Sequence, residues 1–134
     1  MGEPPGRTEV LVVGAGPVGL AVAASLAGHG HDVTVVERQA EGANTSRAAV
    51  VHARTLEMLE RIGVSKRLAG LGIQARQFSI RDGDRELVPV RFDQLPTEYP
   101  YTLMVPQDIT EQVLLDRLEE LGGRVHRPCT ATGV

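Results

Sequence analysis

The spacing of apolar and polar positions changes along the chain and predicts its elements. The β-branched run Val10–Val13 predicts a buried strand, and residues 17–27, rich in Ala and Leu, predict a helix. Gly28 and Gly30 follow that helix and can adopt the left-handed backbone conformation that ends helices. Residues 33–37 form a second apolar run that ends in an acid. This order predicts a βαβ unit with parallel strands and a right-handed crossover.

Later segments predict two short helices, a hairpin and a further strand. The first helix ends at Gly63, and Ser65 is predicted to cap the second. The period then changes to two over residues 74–92, around a turn at Asp82-Gly83-Asp84, which predicts a β-hairpin. Residues 101–105 are another strand candidate. The apolar positions of the two short helices are Leu56, Leu59, Ile62, Leu68 and Leu71.

The last predicted elements are one long helix and a final strand. Asp108 is predicted as its N-cap, with Glu111 completing a capping box, and Gly122-Gly123 ends the helix before a strand that starts at Val125. The apolar face of this helix consists of Ile109, Val113, Leu118 and Leu121. The chain is therefore predicted to be α/β, with a Rossmann-like βαβ dinucleotide-binding fold, a parallel sheet and an added β-hairpin. We expect residues 1–8 to be a flexible lead-in and residues 9–134 to form one domain.

Composition narrows the class of protein. A chain of 134 residues with a formal net charge of −3 gives no reason to expect nucleic acid or an anionic membrane as partner. The single cysteine, Cys129, cannot form an internal disulfide, and the four histidines lack zinc-ligand spacing, so no metal is expected. The uncharged segment from Val10 to Gly28 contains glycines and a proline in its middle, which excludes a membrane span. We therefore expect the protein to be cytoplasmic.

The segment Gly14-Ala15-Gly16-Pro17-Val18-Gly19 carries the candidate chemistry. It follows a predicted strand and opens a predicted helix, which is the context in which a GxGxxG motif binds a dinucleotide. Gly14 permits the tight turn, Gly16 lets a pyrophosphate approach the backbone, and Gly19 lets the helix pack on the strand. Pro17 suits the first helical turn, where its missing N–H costs nothing. The phosphate would lie at the positive end of the helix dipole.

Glu37, at the end of the second predicted strand, is the acidic residue expected to accompany this motif. A carboxylate at that position can accept hydrogen bonds from the hydroxyls of an adenosine ribose. It would also repel a ribose phosphate, which disfavours NADP in this site despite the neighbouring Arg38. FAD and NAD both fit the motif. No residue stands out as a catalytic base or nucleophile.

Four segments occur in one order and spacing that resembles a known family. They are residues 14–20, residues 36–38, residues 46–59, which read SRAAVVHARTLEML, and residues 105–107, which read VPQ. Together they resemble the N-terminal part of single-component flavoprotein monooxygenases similar to para-hydroxybenzoate hydroxylase, and in particular the bacterial aromatic polyketide hydroxylases. The resemblance covers nearly all of the chain after residue 8.

The resemblance implies FAD as cofactor and a role for each matching residue. The three glycines of the turn would hold the pyrophosphate, Glu37 the adenosine ribose, and Arg38 would lie against the adenine. Arg47 would reach the pyrophosphate region, and an arginine there can bind phosphate oxygens in a bidentate manner. Arg54 would brace the loop or touch a phosphate. Gln107 would contact the ribityl or flavin end.

The resemblance also implies the activity of the intact protein and what this chain lacks. Family members reduce FAD with NADPH or NADH and hydroxylate a small aromatic substrate with O2. They are considerably longer and carry further flavin-binding motifs downstream, together with a substrate-covering sheet. The chain is therefore expected to be an incomplete FAD-binding domain that is inactive alone, with the missing C-terminal part of the same protein as its partner. The alternative is a naturally short FAD module.

Two alternatives stay open from the sequence. One is an NAD-dependent dehydrogenase domain, which would continue with further βαβ units straight after Glu37. The other is a nucleotide-binding fragment with no catalysis of its own.

Overall fold

A computed structural model describes residues 3–42 and 50–133 of the chain. In chain order, the elements of these residues are strand β1 (Val10–Val13), helix α1 (Pro17–Gly28), strands β2 (Val33–Val36) and β3 (Val50–Val51), helices α2 (Ala53–Glu60) and α3 (Ser65–Ala69), strands β4 (Ile73–Ala75), β5 (Gln77–Asp82), β6 (Arg85–Arg91) and β7 (Thr102–Met104), helix α4 (Gln107–Glu120) and strand β8 (Arg124–His126). None of the helices within the described ranges is both long and apolar enough to cross a membrane.

A three-stranded parallel sheet with the order β1-β2-β8 positions the candidate site. Val12 pairs with Val35, and Thr34 pairs with Arg124, so all three strands end at the same edge of the sheet. Helix α1 links β1 to β2, which confirms the predicted βαβ unit and the α/β fold class. The residues that follow β1 and β2 therefore lie side by side.

Small side chains allow α1 to pack closely on its neighbours. Ala23 and Ala24 are completely buried where α1 contacts α4, and Leu20 is 1% exposed. On α4, Leu114 and Leu118 fill the same core, and Val113 is also buried. The predicted apolar face of α4 is thus largely confirmed, with Leu114 as a core residue that the spacing analysis did not include.

The prediction that β1 is a buried strand is wrong for one of its faces. Val12 packs against the core on the side of α1, whereas Leu11 and Val13 are 48% and 60% exposed. A strand alternates its side chains between the two faces of a sheet, and α1 covers only one face of β1. A strand made of consecutive apolar residues is buried on both faces only where other elements cover both faces of its sheet.

A second, antiparallel sheet has the order β3-β7-β4. Gln74, predicted as the start of the hairpin, belongs instead to β4 and pairs with Leu103 of β7. The hairpin itself, β5-β6, keeps the predicted turn and pairs Phe78 with Val90 and Ile80 with Val88. The added β-hairpin is thus confirmed, with a later start.

Both predicted side-chain caps are wrong, because α3 begins one residue and α4 two residues earlier than predicted. Ser65 is the first residue of α3, and its buried hydroxyl donates to the carbonyl oxygen of Leu56. Helix α4 begins at Gln107 after Pro106, so Asp108 lies inside its first turn and caps nothing. Leu71 lies beyond α3 and is exposed. At the end of α1, Gly30 alone has the left-handed conformation, and Gly28 is still helical.

Candidate functional site

The turn between β1 and α1 is built around Gly14 and Gly16. Gly14 has a φ of +103°, a conformation that L side chains rarely adopt, and its N–H donates to Val36 O at 2.8 Å. Gly16 has extended backbone and is the N-cap of α1, with Pro17 following in the first turn. A Cβ built on Gly16 meets no atom within 4 Å. The backbone at Gly16 therefore faces open space that a ligand can approach.

Gly19 is enclosed rather than open. A Cβ on Gly19 would lie 2.0 Å from Gly14 O and 3.5 Å from Val12 Cγ1. Distances below about 3 Å are not tolerated between such atoms, so only glycine permits α1 to sit this close to β1. Its contribution is to packing, as the position of Gly19 in the motif predicts.

The N-terminus of α1 offers unpaired backbone donors. The helical hydrogen bonds begin with Leu20 N–H, which donates to Gly16 O at 3.0 Å. The N–H groups of Gly16, Val18 and Gly19 precede this bond, and no side chain within the described residues caps them. Such an end carries partial positive charge, which suits a phosphate group.

Glu37 follows β2 directly and binds the glycine turn through its side chain. Its Oε2 accepts a hydrogen bond from Ala15 N–H, and its Oε1 accepts one from Gln39 N–H, both at 2.9 Å. The hydrogen bond from Ala15 lowers the pKa of Glu37 the most, and the bond from Gln39 lowers it as well. The positive charges of Arg127 and Arg38 lower this pKa further. A carboxylate accepts about four hydrogen bonds in total, so acceptor capacity is left for ligand hydroxyls.

A cavity of about 330 Å³ lies at this edge of the parallel sheet. Its lining residues are Val13, Gly14, Val36, Glu37, Arg38, Cys129, Thr130 and Ala131. The residues after β8 reach it because Glu37 N–H donates to His126 O at 3.0 Å and Cys129 N–H donates to Glu37 O at 2.7 Å. Sequence reasoning did not place 129–131 in the site. The rule that parallel strands end at one edge could have found them, had the pairing of β2 with β8 been known.

A second cavity, of about 470 Å³ and mostly apolar, is lined by residues of α1, β3, α2 and α4. Pro17, Arg54 and Gln107 are among its lining residues, together with Val18 and Met58. Arg54 is largely exposed and forms an ion pair with Glu57 at 3.0 Å. Gln107 is half-buried, and its Nε2 donates to Glu111 Oε1 at 2.7 Å.

The structure thus divides the predicted site residues between two cavities. Gly14, Glu37 and Arg38 line the smaller one, Pro17, Arg54 and Gln107 line the apolar one, and Gly16 lies between them at the N-terminus of α1. Arg47 lies outside the described residues. No cluster of three or more potential metal ligands occurs in the part of the chain that the structure describes.

A family model described as an FAD binding domain matches residues 7–134 of this chain. The chain belongs to the FAD binding domain family. This membership favours FAD over the NAD-dehydrogenase alternative. The antiparallel sheet β3-β7-β4 and the hairpin, which stand where a dehydrogenase would continue with βαβ units, agree with it.

Two proteins that are similar to this chain over most of its length are named monooxygenases. The 6-methylpretetramide 4-monooxygenase of Streptomyces rimosus is 42% identical over 118 residues, which cover 85% of this chain and 21% of that protein. The anhydrotetracycline monooxygenase of the same species is 39% identical over 130 residues, or 96% of this chain and 25% of that protein. This FAD binding domain chain thus spans about a quarter of the length of these relatives.

Solved structures agree with the fold of this FAD binding domain chain. The anhydrotetracycline hydroxylase OxyS from Streptomyces rimosus superposes with a TM-score of 0.80 at 37% identity, covering 91% of this chain and 24% of that one. The p-nitrophenol 4-monooxygenase from Pseudomonas putida superposes with a TM-score of 0.81 at 28% identity, covering 87% and 30%. The Rossmann-like assignment is therefore confirmed.

Proposed function

We propose that this chain holds FAD in an NAD(P)H-dependent monooxygenase that hydroxylates a small aromatic substrate, a polyketide or a phenol, with O2. The observation that carries the proposal is the open backbone at Gly16, at an uncapped helix N-terminus, with the Glu37 carboxylate alongside. The names of the relatives, which include tetracycline-type and phenol monooxygenases, support the substrate class.

The residues fit an FAD molecule that runs from the smaller cavity to the apolar one. Its pyrophosphate would lie against the N–H groups at Gly16, Val18 and Gly19, since Ala15 N–H is already bound by Glu37. Glu37 would bind the adenosine ribose, and Arg38 would lie against the adenine. Backbone groups of residues 129–131 would close the adenosine end of this cavity.

The flavin half of the cofactor would extend toward the apolar cavity. Gln107 would bind its ribityl end there, and Arg47 would reach the pyrophosphate. Arg54, which pairs with Glu57, would act by bracing this wall of the cavity. The lining of Val18, Met58 and Leu114 would exclude water from that end.

When bound, FAD supplies the redox chemistry, taking a hydride from NADH or NADPH and activating O2 toward the aromatic ring. This chain contributes binding and orientation, and it holds no residue that we assign to catalysis. We infer that the substrate-binding and remaining flavin-binding groups lie in the rest of the protein, so the chain alone should be inactive. We infer a cytoplasmic location for the protein.

The test is a titration with FAD and, in parallel, with NAD, on the protein expressed at its full encoded length. Flavin absorbance and fluorescence report binding. Saturable binding of FAD without binding of NAD is the expected result. Binding of NAD without FAD would overturn the proposal and restore the dehydrogenase alternative. Hydroxylation by the 134-residue chain alone would contradict the inference that its site is incomplete.

A further inference from the structure

The side chains of Gln107 and Glu111 lie one turn apart on α4 and line different cavities. Gln107 faces the apolar cavity, whereas Glu111 lines a third cavity, of about 300 Å³, together with Leu20 and Arg127. A single hydrogen bond joins them, from Gln107 Nε2 to Glu111 Oε1 at 2.7 Å. The amide of Gln107 therefore stands at the boundary between the two cavities.

The chemistry of this bond fixes which way the amide points. A carboxylate only accepts hydrogen bonds, so the group that Gln107 turns toward Glu111 has to be its NH2. The carbonyl oxygen then points away from Glu111. Arg127 stands close by, since a Cβ on Gly42 would lie 3.7 Å from Arg127 Nη1 and 3.8 Å from Glu111 Oε2. Glu111 and Arg127 therefore both flank Gly42 at the edge of the third cavity.

We propose that Glu111 is a positioning residue that holds the Gln107 carbonyl oxygen toward the apolar cavity. The FAD group that meets Gln107 is then a hydrogen-bond donor, a ribityl hydroxyl or a flavin N–H, and not a phosphate oxygen. This inference rests on the proposed function, because it assumes that Gln107 meets FAD. The bond to Glu111 makes Gln107 selective for hydrogen-bond donors of FAD. Without Glu111, the Gln107 amide could offer either its NH2 or its carbonyl oxygen to the cofactor.

The orientation can be tested without FAD, by NMR of the 15N-labelled chain. The side-chain NH2 signals of Gln107 are identified by their loss in Gln107→Ala. In the wild type we expect one of these protons to be shifted downfield by its bond to the carboxylate, and we expect that shift to disappear in Glu111→Ala. Glu119→Ala, on an exposed position of the same helix, is the matched control. Identical Gln107 signals in the wild type and Glu111→Ala would overturn the orientation.

The consequence for binding is tested by FAD titration of the full-length protein. Gln107→Ala should weaken binding about tenfold, the usual effect of losing one hydrogen bond. Glu111→Lys should weaken it at least as much, because a lysine donates and so turns the Gln107 NH2 toward the ligand. Glu119→Lys carries the same charge change, and its added positive charge should leave FAD affinity unchanged or slightly higher. Glu111→Gln keeps an acceptor and should stay within about threefold of the wild type.

A double-mutant comparison separates positioning from a general effect on the helix. In the Gln107→Ala background, Glu111→Lys should weaken FAD binding no further, because its effect acts through Gln107. A full additional loss in that background would overturn the positioning role. Thermal unfolding of each variant checks that the fold is kept. If the wild type binds no FAD, the proposed function fails, while the NMR comparison still decides the orientation of Gln107.

Discussion

Replacing Gly16 and, separately, Gly19 with alanine tests whether each glycine serves a ligand or the packing of the fold. Gly16 has φ −76° and ψ −179°, which any residue adopts, and a Cβ there meets nothing within 4 Å. Alanine restricts the unfolded chain, a gain of about 0.4–1 kcal/mol. It is a poorer N-cap than glycine by a similar amount. The free energy of unfolding should therefore change by less than about 0.5 kcal/mol.

The same methyl group at Gly19 has no room. Its Cβ would lie 2.0 Å from Gly14 O and 3.1 Å from Gly14 C, both backbone atoms that no side-chain rotation can move. Relief requires a shift of about 1 Å between α1 and the turn, and overpacking of this kind costs about 1–3 kcal/mol. The better helix propensity of alanine returns at most about 1 kcal/mol. If the overpacking cost lies at the upper end of its range, the free energy of unfolding should fall by about 2 kcal/mol after the gain in helix propensity is subtracted.

Urea unfolding followed by circular dichroism measures the stability of both variants, and FAD titration measures their affinity. Gly16→Ala should unfold like the wild type and bind FAD at least tenfold more weakly, because its methyl group occupies the approach of the pyrophosphate. Gly19→Ala should unfold at a lower urea concentration than the wild type. Gly6→Ala, at another open position remote from the turn, is the control for both measurements.

Two results would refute this reasoning separately. Unchanged FAD affinity in a folded Gly16→Ala variant would show that no ligand approaches the backbone there. Unchanged stability in Gly19→Ala would show that α1 does not depend on its close approach to β1.

Four further predictions concern Glu37 and the core. Glu37→Gln should weaken FAD binding, and titration should show the difference; equal affinity would exclude the ribose role. Because its pKa is lowered in the fold, Glu37 stabilises the protein above pH 4.5, and this contribution is lost as the pH falls through the lower folded-state pKa. Urea unfolding at a series of pH values should therefore show a smaller decline on acidification in Glu37→Gln than in the wild type. Leu114→Ala, in the core between α1 and α4, should cost about 2–5 kcal/mol in urea unfolding, and a loss below 1 kcal/mol would contradict its burial. Ser65→Ala removes the buried hydroxyl that donates to the carbonyl oxygen of Leu56 and should cost about 0.5–1.5 kcal/mol in the same assay, whereas no loss would mean that the hydroxyl contributes nothing there.

The βαβ unit and its turn could be predicted because their determinants are local. Gly14, Gly16 and Pro17 act within one turn of the chain, and the strands before and after α1 are mostly apolar. Glu37 comes beside Ala15 because parallel strands joined by one helix end at the same edge. Local pattern and tertiary structure agree at each of these positions.

What the sequence did not reveal depends on pairing between distant segments. Gln74 pairs with β7 rather than joining the hairpin, and residues 129–131 line the cavity beside Glu37, through contacts that no local pattern encodes. The caps failed for a different reason. A serine or aspartate near a helix start can lie within the first turn instead of at the N-cap, as Ser65 and Asp108 do, once other contacts fix where the helix begins.

The strand order β1-β2-β8 has a consequence for how the molecule assembles. β1, α1 and β2 are contiguous and can associate early, but β8 pairs with β2 only after all the intervening segments have been made and arranged, a contact of high sequence separation. The cavity beside Glu37 contains residues that follow both β2 and β8, held together by the bond from Cys129 N–H to Glu37 O. The cavity therefore forms only once β8 has paired with β2. A nucleotide that binds there selects chains in which this pairing is made and, by mass action, draws the remaining ones toward it.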